Sequence, residues 1–184
     1  MGRKYKFHDN RKLYFVTFTV VEWLDIFIRE EYRGIIYDSL RYCQKNKGLD
    51  VYGYCIMTNH LHLIIGTETG VLSDIVRDFK SFTSRSIRKL MEAHYGESRK
   101  KWMLDILVQV GLDNKRNNDW QLWQQHNHPI ELNDLKIFEQ RLNYIHQNPV
   151  KAGFVGSPEY WLHSSAAVYY GVGECPIEVK VIEF

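Results

Sequence analysis

"VYGYCIMTNHLHLIIG", residues 51–66, decides how the rest of the chain is read. VYGYCIM (51–57) and HLHLIIG (60–66) are apolar runs with only Thr58-Asn59 between them, so the stretch reads as two strands of a hairpin. A strand turns successive side chains to opposite faces, so His60 and His62 project from one side of the sheet and Leu61 and Leu63 from the other. Two imidazoles on one face can share a divalent ion if a third ligand arrives from elsewhere. They can equally be partly buried rings bonded to backbone, and spacing alone does not separate the two readings. A second pair, His126 and His128 in WQQHNHPIEL, stands before Pro129, where a strand is not expected to continue.

Working outward, LYFVTFTVV (13–21) is β-branched and aromatic throughout and reads as a buried strand. A helix is expected over 29–47, with Ile35, Ile36, Leu40 and Cys43 on one face and Gly48 just past its end. Ser73 is placed to cap a second helix over 74–94, with Ile75, Phe79, Phe82, Ile87 and Met91 facing inward. Residues 96–119 carry a basic loop, the apolar MLDILVQVGL and the polar DNKRNND, with no decisive period. A short strand is expected in WQLWQ (120–124) and a last helix from Asn133, with an irregular tail from 172. The order β-α-β-β-α-β plus one more helix predicts an α+β, ferredoxin-like antiparallel sheet in a single domain spanning 1–184.

At 184 residues the chain is long enough to bury a real core. No window approaches the roughly 18 apolar residues of a membrane span, and the polar start MGRKYKFHDN lacks the apolar heart of a signal peptide. Cys43, Cys55 and Cys175 form no metal or redox spacing, and their odd number argues against a disulfide framework. A cytoplasmic protein without membrane contact is expected. The overall charge of +2 hides a division. Residues 1–12 carry five basic residues against Asp9, and residues 77–101 carry eight against Asp78, Glu92 and Glu97, so the remainder is acidic. Such segregation suits a polyanion-binding face, although a solvated helix face has the same composition.

DLKIFEQRLNYIHQNPVKAG (134–153) holds Leu135, Phe138, Leu142 and Ile145 at intervals of three and four, a core-facing stripe. At about 100° per residue Tyr144 lies opposite Leu135, with Asn148 one turn beyond it. Pro149 biases Asn148 away from helical dihedrals. From position alone, Tyr144 is either a reactive phenol or an aromatic packed on a neighbouring element.

The combination resembles the single-tyrosine HUH transposases that act on single-stranded DNA, and most of all the REP-associated tyrosine transposases. The matching motifs are MTNHLHLII (57–65) and YIHQNPVKAGFV (144–155), with weaker ones in FVTFTV…IF, FKSFTSR, WQ…HP and WLHSSA, in order from residue 13 to about 170. Thr58 stands where the family usually has proline, and HNHPIEL departs from the common version, so no role passes to His126 or His128. The resemblance implies that His60, His62 and Asn148 hold Mg²⁺ or Mn²⁺ and that Tyr144 is the nucleophile. It implies cleavage of single-stranded DNA near a hairpin through a 5′-phosphotyrosine link, followed by strand transfer. Arg77, Lys80, Arg85, Arg88 and Lys89 are then expected on the DNA backbone, and Trp120 and Trp123 are candidates for stacking on unpaired bases. His146 and Lys151 lie near Tyr144, but neither is marked as a general base. Two assemblies stay open: a homodimer whose tyrosine helix serves the partner's histidines, and a site within one chain. The competing readings are a domesticated protein that binds a DNA hairpin without cutting it, a water-using metal hydrolase and an RNA-binding module. The last lacks its aromatic signature on either central strand.

Overall fold

Four strands pair in the order β2-β3-β1-β4 in the computed structural model, which describes residues 7–114 and 119–182. They are β1 (Leu13–Thr19), β2 (Leu49–Ile56), β3 (His60–Thr67) and β4 (Ile130–Leu132). All neighbours run antiparallel. Period-2 alternation divides the side chains between two apolar layers. Tyr14, Val16, Phe18, Leu61, Leu63 and Ile65 face α1 (Glu30–Lys47) and α2 (Leu72–Ala93). Phe15, Cys55, Met57 and Ile64 face α4 (Leu135–Lys151) through Phe138, Leu142 and Ile145. The sheet is therefore covered on both sides, and the tyrosine helix lies on the face opposite the other two. The ferredoxin-like order holds, with one inserted helix, α3 (Lys100–Asp113).

Several expectations need correction. The fourth strand is not WQLWQ but Ile130–Leu132. Trp123 makes only an isolated bridge to Val20, and its indole fills the core beside Phe18 and Phe27 while its Nε1 donates to Thr83. Gln121 N–H donates to the Leu107 carbonyl rather than to a neighbouring strand. Ser73 does not cap α2, whose N-cap is Val71. Phe82 is 53% exposed and Leu135 58% exposed, so neither belongs to its core stripe. Asp134 caps α4 by accepting from Ile137 N–H. The helix continues through Pro149 to Lys151. Gly48 ends α1 at φ 68°, the left-handed conformation a β-carbon disfavours. Arg3, Lys4 and Lys6 of the basic N-terminus and Lys115 and Arg116 of the polar segment lie outside the described residues. Among the described residues no helix is long and apolar enough to cross a membrane.

The segment joining α2 to α3 is anchored by one fully buried carboxylate. Glu97 accepts from Arg29 Nε at 2.7 Å and from Arg99 Nε at 3.1 Å. Burial pushes this carboxyl up, but the Arg99 and Arg29 hydrogen bonds prevail and hold it at about 2. A folded-state value below the unfolded one stabilises the fold above the ordinary glutamate range, and that contribution is lost as pH falls toward 2. Glu97→Gln is expected to cost about 2–3 kcal/mol at neutral pH, by leaving two guanidiniums without their anion. Urea unfolding over a pH series should show the two proteins converging below pH 4; a gap that ignores pH would contradict the assignment.

Candidate active site

The β1–β3 register sets Thr17 directly across from His62, so both side chains stand on the face covered by α4. Thr17 Oγ1 lies 2.8 Å from His62 Nδ1, and Asn148 Nδ2 lies 3.2 Å from His62 Nε2. An amide nitrogen only donates, so Nε2 accepts, and the ring proton sits on Nδ1 and is given to the threonine hydroxyl. His60 is fixed in the same tautomer by a longer chain. Asn59 Nδ2 donates to Asp25 at 3.0 Å, which turns Asn59 Oδ1 toward His60 Nδ1, 2.7 Å away. That oxygen can only accept, so His60 also carries its proton on Nδ1. Asn148 touches this ring as well, and the two imidazole centroids are 4.7 Å apart. Asn148 thus lies against both rings, and its amide N–H takes up the His62 Nε2 lone pair.

Burial lowers the pKa of His60, and burial followed by the neighbouring His60 takes His62 down to about 3. Both rings are neutral at pH 7, the form that ligates metal. Among the described residues no group of three His, Cys, Asp or Glu side chains is placed to hold an ion, and the oxygen-bearing side chain bonded to both rings is the Asn148 amide. Two imidazoles and an amide oxygen leave the remaining positions for water and phosphate, a donor set that fits Mn²⁺ or Mg²⁺. The Nδ1–H tethers are the kind of outer support that metal-binding histidines require.

Tyr144 belongs to the same cluster. Its ring centroid is 5.2 Å from that of His62 and 5.9 Å from that of Phe15, and Phe15 in turn stacks on His62. The residue is 38% exposed, and among the described residues no hydrogen bond occupies its hydroxyl. Lys151 Nζ lies 5.9 Å from the phenol centroid. His146, on the same helix, is committed elsewhere: its Nε2 meets Ser165 Oγ at 2.8 Å, and burial lowers its pKa to about 4.

The five basic residues of α2 are not brought to this cluster, because α2 covers the other face of the sheet. Arg77 pairs with Asp74 and Asp78. Arg88 pairs with Glu92 and Asp119 and lies over Trp120. Lys80 is turned inward, donating to the Gln124 carbonyl and to Asn127 Oδ1, and burial lowers its pKa to about 8. Arg85 and Lys89 are exposed and free of ion pairs among the described residues. Lys80, Arg85, Arg88 and Trp120 line a groove of about 500 Å³. Trp123 is buried, so its indole is not available to stack, while the half-buried Trp120 donates its Nε1 proton to Ser84 and has Arg88 over its ring. The cluster also contains residues that sequence reasoning did not single out: Thr17, Asn59 and Asp25. Thr17 and Asn59 stand in VTFT and MTNHLH, but they have meaning only once the strand register is known, and Asp25 lies in neither motif.

The family model described as "Transposase IS200 like" matches residues 14–104. That span includes His60 and His62 and stops before the helix carrying Tyr144 and Asn148. The chain is similar in fold to a solved structure of a REP-associated tyrosine transposase bound to a REP hairpin, at 15% identity and a TM-score of 0.66, covering 100% of this chain and 95% of the other. A Deinococcus radiodurans R1 protein assigned as a transposase is more distant, at 18% identity, a TM-score of 0.43 and coverage of 80% and 95%. No curated protein sequence matches significantly.

Proposed function

The chain belongs to the IS200-like transposase family, and from that premise we propose that it is a single-strand DNA nicking and strand-transfer enzyme with Tyr144 as its nucleophile. The observation that carries this reading is the meeting of Tyr144, Asn148, His60 and His62 in one chain, with both imidazoles held as neutral Nδ1–H tautomers. A divalent ion bound by the three ligands would supply a Lewis acid that draws charge from a non-bridging phosphate oxygen. The rest falls to the protein. Asn148 and the histidines orient the phosphate, and the half-exposed phenol reaches it. Attack on phosphorus forms the tyrosine ester bond and breaks the bond to the leaving 3′-oxygen. The product is a 5′-phosphotyrosine and a free 3′-OH. The bond energy is kept, so another 3′-OH can reverse the step and join strands.

In this reading the whole chain is one HUH-type domain. The hairpin's phosphates occupy the groove lined by Arg85 and Arg88, with Arg77 and Lys89 on the same helix adding positive charge, giving affinity that falls with salt. Lys80 shapes the groove's edge rather than the DNA contact. The flanking single strand then passes round the β1–β4 edge to the α4 face. A site complete within one chain favours action in cis over a homodimer with shared active sites. The test is to incubate the protein with labelled hairpin-bearing single-stranded DNA and Mn²⁺, and to look for a protein–DNA adduct that survives denaturation. An adduct supports the tyrosine mechanism. Cleavage without one supports a water-using hydrolase, and tight binding with neither supports a protein that only recognises the hairpin.

A further inference from the structure

Between β1 and α1 the chain makes a turn that holds a large aromatic ring in solvent at the margin of the histidine pair. Glu22 and Trp23 both have positive φ, 53° and 52°, a conformation that residues with a β-carbon rarely take and that is uncommon in two successive ones. The turn cannot relax. Val20 N–H donates to Asn59 O, Val21 N–H to Leu122 O and Phe27 N–H to Thr58 O, while Val21, Leu24, Ile26 and Phe27 are buried around it. Trp23 is the exception: 59% exposed, outside both apolar layers, and 5.9 Å from His60 between ring centroids at 78°. The fold gains little from this ring, and a glycine would ease the backbone. Strain of this kind is kept where a displayed side chain has a use.

We propose that Trp23 is the stacking platform for an unpaired base of the DNA strand whose phosphate reaches His60 and His62; this rests on the functional reading above. An indole face takes any base, so the subsite supplies affinity and positions the strand without reading sequence. Trp23 offers the solvent-exposed ring that the buried Trp123 does not. The ring adjoins the metal-ligand side chain directly, so a base on it and a phosphate at the histidines belong to neighbouring positions on one strand.

The test uses the full chain and a DNA hairpin with a single-stranded flank carrying 2-aminopurine at one flank position at a time. With the wild type, the fluorescence of one position should be quenched on binding. Trp23→Ala should lose that quenching and bind about 10-fold more weakly, whereas Trp23→Phe should keep most of both. An abasic site at the same position should remove the difference between wild type and Trp23→Ala. Trp23→Gly should melt at or above the wild-type temperature, since it relieves the turn. The proposal is overturned if the wild type binds the hairpin and no position depends on Trp23, or if Trp23→Gly melts several degrees lower. Trp23-dependent quenching without any Tyr144 adduct keeps the subsite and removes the nuclease reading. An adduct with quenching indifferent to Trp23 does the reverse. No binding of the DNA by the wild type overturns both.

Discussion

Tyr144→Phe is expected to reduce the covalent adduct by at least about three orders of magnitude while leaving hairpin affinity within a few-fold of wild type. The substitution removes one oxygen from a ring that is half in solvent, and among the described residues that oxygen bonds to nothing. Packing of the ring against His62 and Phe15 survives, so loss of fold is not a competing explanation. Two other reactive side chains on this face of the sheet are committed elsewhere. His146 is bonded to Ser165 and kept neutral by burial, and Cys55 is buried with its thiol pushed far up. Losses of this size follow when a nucleophile is deleted from an otherwise intact site. An adduct at wild-type yield from Tyr144→Phe would remove the assigned nucleophile.

The second large effect concerns the ion. His62→Ala should abolish measurable Mn²⁺ binding by the free protein in a calorimetric titration, and EDTA should abolish adduct formation by the wild type. A milder change separates ligation from orientation. Thr17→Val keeps the shape of the side chain and removes the hydroxyl that receives the His62 Nδ1 proton. It should weaken Mn²⁺ binding by about 10- to 100-fold, the usual consequence of losing the group behind a metal-binding histidine. Thr17→Ser should restore most of the affinity. Unchanged Mn²⁺ binding in His62→Ala would place the ion elsewhere.

Two simple periods placed the candidate residues, and the resemblance of MTNHLHLII and YIHQNPVKAGFV gave them their expected roles. The strand period put His60 and His62 on one face, and about 100° per residue put Tyr144 and Asn148 on one side of a helix. The doubt over Asn148 came from Pro149, but the helix runs through the proline, which packs in the interior. Other features depend on register or tertiary burial, which a linear reading does not contain. Thr17 matters because it is His62's partner across the ladder, and Asp25 because it turns the amide of Asn59. WQLWQ has strand composition, yet its indole is drawn into the core between α2 and β1. MLDILVQVGL is apolar at so many positions that strand and helix templates fit it alike, and only Met103, Leu107 and Gly111 end buried along one side of α3. Lys80 looked like its basic neighbours on α2, and the loop around Gln124 and Asn127 captured it.

The central claim is spatial: the phenol and the imidazole pair of the same chain serve one phosphate. Mixing Tyr144→Phe protein with His62→Ala protein tests it most directly, because each variant keeps the half that the other lacks. Neither should form the adduct alone, and the mixture should form none either. An adduct that appears on mixing would mean that the tyrosine helix of one chain serves the histidines of another, and the single-chain site described above would not be the one that cuts.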